Sequence, residues 1–287
     1  MIPRFELHRP SDLREALTLL GELEDVACYA GGTELVQVMK MGFAQVRHLV
    51  DLKRIAELGG IDELPDGTLR IGATVTHREI EGSSAVGRRL PVLAELERQI
   101  ANVRIRNVGT LGGNLCFAEP HSDPATLLLA CEATVTLVGP DGGRRSMGLG
   151  DFLLDALTTA REEGEIMTDV TVPPHPADER LAYRRLALTE RPTVSVACRL
   201  RVTDDGRIEE PRIVVGSVGP RPVVCLASEQ VSGLSVDAVA GAAEEIAQAC
   251  AAEVEPLDDL DLAPAYLRNL VAVSVGRALG DSIRGTA

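Results

Sequence analysis

The segment AGGTE at residues 30–34 and the segment GTLGGN at residues 109–114 each follow a short apolar stretch, and each pairs adjacent glycines with a small hydroxyl or amide side chain. We call them the first and the second glycine run. Adjacent glycines let a backbone approach a ligand without a Cβ in the way. Exposed N–H groups in such a turn form a concavity suited to phosphate. Together the runs predict one diphosphate held from two sides.

Each glycine run could form a tight turn or bind a phosphate group. Taken singly, a glycine pair more often serves only a tight turn, and the two runs together are what favour a phosphate-bearing ligand. The common nucleotide fingerprints are absent, since the chain has neither G-x-G-x-x-G after a strand nor G-x-x-x-x-G-K-[ST]. The residues therefore predict a phosphate-bearing ligand without naming the nucleotide.

Composition narrows the class of protein. The chain has 287 residues, of which 45% are hydrophobic and 25% charged, enough for a substantial core. Its net charge of −14 argues against nucleic acid and anionic membranes as partners. An acidic surface can dock a basic patch on another protein, although solubility is the commoner reason for such acidity.

The cysteines and the N-terminus indicate a compartment. The six cysteines show no C-x-x-C spacing and no Cys/His cluster, so we predict neither a metal site nor a disulfide framework. The N-terminal residues lack the apolar core of a signal peptide, and no apolar run is long enough to span a bilayer. We therefore expect a cytoplasmic protein without an integral membrane segment.

Breaks in the pattern suggest a domain organisation. Helical and strand-like segments alternate unevenly, which favours an α+β fold over a doubly wound sheet. A glycine pair at residues 59–60 and the segment PPHP at residues 173–176 are the predicted boundaries. They divide the chain into residues 1–58, 59–174 and 177–287.

Few side chains outside the runs point to chemistry. Ser122 or Asp123 is expected to cap the helix that follows, and an aspartate near a phosphate loop can also bind sugar hydroxyls. Arg104 and Arg106 precede the second run and suit a diphosphate, an acidic partner or a solvated face. His77 and His121 each lack a local partner that would suggest a catalytic dyad, so no catalytic residue is predicted.

These segments together resemble a known protein family. The first glycine run, the segment IRNVGTLGGN at residues 105–114 and Asp123 are similar to the FAD-binding medium subunit of molybdenum hydroxylases, which include xanthine dehydrogenase and aerobic carbon monoxide dehydrogenase. The segments at residues 216–222 and 266–279 resemble its C-terminal domain. The resemblance implies a split two-subdomain FAD-binding fold of the vanillyl-alcohol-oxidase (PCMH) type, followed by an α+β C-terminal domain.

The resemblance implies roles for the first glycine run. Gly31, Gly32 and Thr33 match positions that give N–H groups to the FAD pyrophosphate, and Ala30 and Glu34 flank them in the same binding segment.

Roles for the second run and for Asp123 follow from the same resemblance. Thr110 and Gly113 hold the pyrophosphate from the other side, and Asn114 shapes the run or reaches toward the flavin. Asp123 binds a hydroxyl of the ribose or ribityl part.

Other matched positions lie farther along the chain. Ile166 and Met167 match backbone positions beside the adenine, and Ile100 falls where some members place an aromatic ring against the flavin. Arg185 stands where lysine is usual near the isoalloxazine ring, which keeps the charge but not its geometry. The segment RPTV at residues 191–194 replaces a Gly-Asp-Tyr-Ala-like segment.

The resemblance also implies a redox circuit. Substrate is oxidised at a molybdopterin cofactor in a large subunit, electrons cross [2Fe–2S] clusters in a small subunit, and FAD in this chain passes them to NAD⁺, a quinone, oxygen or another carrier. The expected assembly is a heterotrimer that dimerises. The lack of iron–sulfur ligands here argues against the benzoyl-CoA-reductase variant. A self-sufficient FAD-dependent oxidoreductase and a non-redox nucleotide-binding interaction protein remain as alternatives.

Overall fold

The chain forms two compact units in the computed structural model, which describes residues 2–257 and 262–285. Unit 1 comprises Met1–Phe117, Thr134–Leu153 and Thr158–Pro173, and unit 2 comprises Ala118–Ala133, Leu154–Leu157 and Pro174–Ala287. Residues 118–133, which the sequence analysis grouped with 59–174, thus pack with the C-terminal part of the chain. The division into three segments stays a prediction.

The elements mix helices and strands throughout. The strands are β1 Glu6–His8, β2 Val26–Tyr29, β3 His48–Asp51, β4 Ile61–Glu63, β5 Leu69–Gly72, β6 Thr134–Val138, β7 Arg144–Gly148, β8 Leu153–Asp155, β9 Thr158–Thr159, β10 Ile166–Val172, β11 Glu179–Leu186, β12 Val194–Val202, β13 Ile208–Gly216 and β14 Val223–Val224. The α-helices are α1 Leu13–Glu22, α2 Leu35–Met41, α3 His77–Gly82, α4 Ser84–Arg89, α5 Pro91–Arg98, α6 Val103–Arg106, α7 Leu111–Phe117, α8 Asp123–Ala130, α9 Leu149–Phe152, α10 Val236–Ala252 and α11 Pro264–Arg284. This architecture confirms the predicted α+β class.

Unit 1 contains two sheets. The first is a three-stranded parallel sheet in the order β1-β3-β2, and the second is a five-stranded antiparallel sheet in the order β4-β5-β10-β6-β7. The apolar stripe of α1 packs on the first sheet, where Leu13, Ala16 and Leu17 share a buried cluster with Val50. This packing fixes the strands that lead into and away from the first glycine run.

Helix caps explain two element boundaries in unit 1. The sequence predicts Thr76 as the cap of α3, and Thr76 indeed begins this helix, with a capping box to Glu79. The sequence also predicts Ser11 as the cap of α1, which is wrong, because the Asp12 carboxylate accepts the N–H of Glu15 at 2.8 Å. Ser11 instead donates from its backbone N–H and its hydroxyl to the Glu15 carboxylate.

Unit 2 is built on an antiparallel sheet in the order β11-β12-β13-β14. Its core joins apolar residues of β12 and β13 to α10 and α11. The sequence pattern predicts a strand over residues 194–202 and helices over 236–252 and from near 264 to 279. The bounds of β12 and α10 confirm the first two, whereas α11 runs five residues past Leu279, to Arg284. Within the described residues, no helix is long and apolar enough to cross a membrane.

Candidate diphosphate-binding site

The first glycine run connects β2 to α2 in unit 1. Gly32 has φ +70°, a left-handed conformation that favours glycine, and its carbonyl accepts the N–H of Val36 at 3.1 Å. Across residues 2–257 and 262–285, no protein acceptor is bonded to the N–H groups of Gly31, Gly32 or Thr33. The run therefore presents three consecutive backbone donors, as an anion-binding turn does.

The second glycine run is largely helical. The expectation of a loop over residues 109–114 is wrong for its second half, because Gly112, Gly113 and Asn114 lie in the first turns of α7. The Thr110 hydroxyl accepts the N–H of Gly113 at 3.1 Å, in the manner of an N-cap residue. The predicted donation from Gly113 to a ligand thus competes with an internal hydrogen bond, and its role stays a prediction.

Further N–H groups of the second run are engaged within the protein. Leu111 donates to the carbonyl of Val75 at 3.0 Å, and Gly112 donates to the carbonyl of Ala73 at 2.9 Å. A Cβ on Gly112 would lie 2.6 Å from the Cβ of Ala73, so glycine permits this packing. The second run is consequently held rigidly on the segment that follows β5.

The two runs touch each other. An ideal Cβ on Gly31 would lie 2.2 Å from the carbonyl oxygen of Val108 and 2.7 Å from the Cα of Gly109. Both contacts are to backbone atoms, which cannot swing away as a side chain does. The absence of a side chain at Gly31 thus serves the approach of one run to the other.

A cation that the sequence analysis did not identify lies beside the first run. The Lys53 ammonium is 2.8 Å from the Asp51 carboxylate, donates to the carbonyl of Ala30 at 3.1 Å and lies 3.9 Å from the centroid of the Tyr29 ring. These contacts fix the last peptide before the glycines. No local pattern marks Lys53, because its partners come together only when β2 and β3 pair.

A buried acid–base pair supports the second run. His77 and Glu97 are 4% and 0% exposed, and His77 Nδ1 lies 2.7 Å from Glu97 Oε2. The His77 backbone N–H donates to the carbonyl of Gly109 at 3.0 Å. Glu97 Oε1 has no hydrogen-bond partner among the described residues. The sequence missed this pair because its members lie on different helices, α3 and α5.

Removal of the buried carboxylate is expected to destabilise unit 1. Glu97→Ala leaves the His77 ring without its partner in a dry environment, which lowers the free energy of unfolding by about 2 kcal/mol. The matched control is Glu95→Ala on the same helix, because the Glu95 side chain is 62% exposed and forms a surface ion pair with Arg98. Urea unfolding measures both variants. Equal losses in the two would contradict a supporting role for the buried pair.

In unit 2, Ser122 rather than Asp123 caps α8. The Ser122 hydroxyl accepts the N–H of Ala125 at 3.2 Å. The Asp123 carboxylate instead accepts from the Tyr183 hydroxyl and, at 3.0 Å, from Arg185 Nε on β11. Burial and the nearby Asp123 charge hold the pKa of Tyr183 well above its usual value, so this phenol stays protonated and donates. The cap and the predicted ligand-binding carboxylate are therefore separate groups.

Ile166, Met167 and Ile100, the remaining residues predicted to lie near FAD, are buried or half-buried in unit 1. Ile166 and Met167, 1% and 3% exposed, begin β10 opposite Val138 and Leu137, just before a register shift. Ile100 is half-buried after α5, and its carbonyl accepts from the Arg106 guanidinium at 2.9 Å. Roles for these residues and for Arg185 stay predictions.

Arg104 and Arg106 differ in their surroundings. Arg106 also pairs with Glu81 at 3.1 Å, which leaves it engaged within unit 1. Arg104 is exposed. The solvated face that the sequence analysis kept as an alternative therefore describes Arg104 better than Arg106.

Comparison with known proteins identifies the family. Residues 3–175 match the model described as FAD binding domain in molybdopterin dehydrogenase, and residues 181–282 match the CO dehydrogenase flavoprotein C-terminal domain. The chain belongs to this family of FAD-binding medium subunits of molybdenum hydroxylases. It is an oxidoreductase subunit, and FAD is its cofactor. The resemblance seen in the sequence is confirmed.

Relatives and solved structures cover most of the chain. The carbon monoxide dehydrogenase medium chain of Hydrogenophaga pseudoflava is 37% identical over 220 residues, 76% of each protein. The xanthine dehydrogenase FAD-binding subunit of Escherichia coli O157:H7 is 31% identical over 229 residues, 78% of each. The structure of carbon monoxide dehydrogenase from Hydrogenophaga pseudoflava matches with a TM-score of 0.94 and 35% identity over 100% of both chains.

A second solved structure, quinoline 2-oxidoreductase from Pseudomonas putida 86, matches with a TM-score of 0.93 and 26% identity, covering 100% of this chain and 99% of that one. The matches confirm the predicted fold of a FAD-binding domain followed by a C-terminal domain. They also place the medium-subunit family among multi-subunit oxidoreductases.

Proposed function

We propose that this chain is the FAD-carrying electron-transfer subunit of a molybdenum hydroxylase complex. It receives electrons from [2Fe–2S] clusters of a small subunit and passes them to an external acceptor, which is NAD⁺, a quinone, oxygen or another carrier. A large subunit holds the molybdopterin cofactor and the substrate. The names of the relatives, medium chain and FAD-binding subunit, support this division of labour.

We further propose a heterotrimer that dimerises, located in the cytoplasm. The six free cysteines of the chain support a reducing compartment.

The contact between the two glycine runs is the observation that carries the proposal. A diphosphate is a compact anion, and the three consecutive backbone N–H groups at Gly31, Gly32 and Thr33 are donors suited to its anionic oxygens. Bound FAD supplies a group that exchanges electrons singly or in pairs. In this site the first run binds the anion, and the second run, fixed by Thr110, forms the opposite wall.

Lys53 helps to fix the backbone of the first run in the conformation that binds the diphosphate. Its hydrogen bond to the carbonyl of Ala30 turns that oxygen toward the ammonium. Its charge is largely balanced by Asp51, 2.8 Å away. The lysine therefore acts on the diphosphate mainly through backbone geometry.

A paired substitution tests the first run. Gly32 (φ +70°) and Gly42 (φ +83°) flank the same helix in the same left-handed conformation, so alanine costs each about 1 kcal/mol of backbone strain. Only Gly32 faces an obstacle, since its Cβ would lie 2.4 Å from the Tyr29 ring. We expect Gly32→Ala to weaken FAD affinity roughly tenfold more than Gly42→Ala. Fluorescence titration of the apoprotein with FAD measures this, and equal affinities would contradict it.

Purification of the complex tests the electron-transfer role. The chain is tagged in its native host and isolated at low ionic strength, and flavin, iron and molybdenum are quantified. We expect flavin bands over a broad iron–sulfur absorption, with two co-purifying polypeptides. Stoichiometric flavin without iron, molybdenum or partners would contradict the proposal and favour a self-sufficient flavoprotein. Anaerobic mixing of the reduced complex with each acceptor then identifies the one that reoxidises it.

A further inference from the structure

Two histidines and a glutamate meet on the parallel sheet of unit 1. Strands β1 and β3 pair so that Glu6 lies opposite His48, and His8 follows Glu6 by two positions on the same face. The backbone holds this register, since Glu6 donates its N–H to the carbonyl of Arg47 at 2.8 Å. The three side chains thus project together from two adjacent strands.

The distances between their donor atoms are close to those between the ligands of a bound metal ion. His8 Nε2 lies 3.1 Å from His48 Nδ1, and His48 Nδ1 lies 3.8 Å from Glu6 Oε2. All three ligand atoms lie within 4.8 Å of one another. Tetrahedral Zn²⁺ with metal–ligand bonds of about 2.0–2.1 Å requires ligand atoms roughly 3.3 Å apart. Small side-chain rotations therefore suffice to bring all three onto one ion.

The chemistry of the donors also suits a metal ion. When His8 and His48 are both neutral, a single proton serves the contact between their facing nitrogens, whereas a cation uses the lone pairs of both. The Glu6 side chain is 68% exposed, so it can turn toward an ion without breaking a buried contact. Two imidazoles and one carboxylate form a set that suits Zn²⁺ and leaves a fourth position for water.

We propose that Glu6, His8 and His48 form a divalent transition-metal site, suited to Zn²⁺, that fastens the edge strand β1 onto β3. Strand β1 has only three residues, Glu6–His8, so a bridge to its neighbour adds substantially to its anchoring. The spacing of residues 6, 8 and 48 in the sequence matches no common metal-binding motif, so a metal site was not predicted here. The three residues come together only because β1 pairs with β3.

Calorimetry on the FAD-loaded full chain tests the site. The protein is freed of metal with a chelator, dialysed and titrated with Zn²⁺. We expect one saturable site per chain, and thermal unfolding at a higher temperature with Zn²⁺ than without it. His8→Ala and His48→Ala each lose roughly tenfold or more in Zn²⁺ affinity. Glu6→Gln, which keeps the shape of the side chain, shows a smaller loss.

The control is His175→Ala, since His175 also contacts a glutamate, Glu179, but belongs to no three-ligand cluster among the described residues. It is expected to bind Zn²⁺ as the unsubstituted protein does. A Zn²⁺ affinity that is unchanged in Glu6→Gln, His8→Ala and His48→Ala, or no saturable binding by the unsubstituted chain, would overturn the proposal. FAD content of each variant verifies that unit 1 has folded, and Glu6→Gln keeps the test valid if a histidine variant fails to fold.

Discussion

Gly31→Ala is expected to give a folded chain that retains almost no FAD. The new Cβ would lie 2.2 Å from the carbonyl oxygen of Val108, 2.7 Å from the Cα of Gly109 and 2.9 Å from the carbonyl carbon of Val108. Because all three are backbone atoms, the two glycine runs must separate to accommodate one methyl group. The diphosphate then loses one wall of its site, and FAD affinity falls about a hundredfold or more, roughly 3 kcal/mol.

Flavin absorbance per purified chain measures the loss, and far-ultraviolet circular dichroism verifies the fold. Gly21→Ala is the matched control, because Gly21 lies in α1 with nothing within 4 Å of its ideal Cβ. A helical glycine replaced by alanine gains stability, so this variant keeps its flavin and unfolds at an equal or higher temperature. Full flavin content in Gly31→Ala would contradict the view that contact between the runs creates the site.

The Gly31 contact also explains how much of the site could be predicted from sequence. Both runs were recognisable because glycine pairs beside small polar residues are uncommon without a structural or binding role. Their contact with each other was only inferred from the family resemblance and from the idea of a shared ligand. A side chain at position 31 would collide with the carbonyl of Val108, and this tertiary contact is one that no local pattern reveals.

Charged groups that support the two glycine runs were missed for the same reason. Lys53 reaches Ala30 across two paired strands, and Glu97 reaches His77 from a different helix. Neither partner lies at a helical or strand spacing from the other. Hydrophobic periodicity reports which face of an element is buried, not which charged side chain it meets there.

The secondary structure shows where such reasoning succeeds. The alternating segment at residues 134–138, which ends at a strong glycine-rich turn, predicts a strand, and β6 has these bounds. Helix α10 matches its predicted bounds because a serine cap precedes a long alanine-rich stripe. Strand β7 was not predicted, since this strand at the edge of its sheet alternates between exposed and half-buried residues without an apolar face. Strand β1 has three residues, too few for a periodicity.

Asp123→Ala is expected to produce the largest loss of stability among single substitutions in unit 2. The Asp123 side chain is 5% exposed, and its partner Arg185 is 16% exposed. Removal of the carboxylate leaves a largely buried guanidinium with the carbonyl of Glu190 as its remaining hydrogen-bond partner among the residues that the structure describes, and leaves the Tyr183 hydroxyl without its acceptor at Asp123. Loss of one partner of such a pair lowers the free energy of unfolding by about 3 kcal/mol. Urea unfolding of the FAD-free chain measures this loss.

Two further variants separate the possible roles of Asp123. Ser122→Ala removes the hydroxyl that caps α8, a loss worth about 1 kcal/mol, so a similar value for Asp123→Ala would contradict the importance of the ion pair. Asp123→Asn keeps the shape and an acceptor for Tyr183 while removing the charge. If Asp123 also binds a hydroxyl of FAD, as the family resemblance implies, Asp123→Ala destabilises the FAD-loaded chain more than the FAD-free chain, because ligand binding adds to the stability of the native state alone. Equal losses in the two forms would restrict Asp123 to holding β11 against α8.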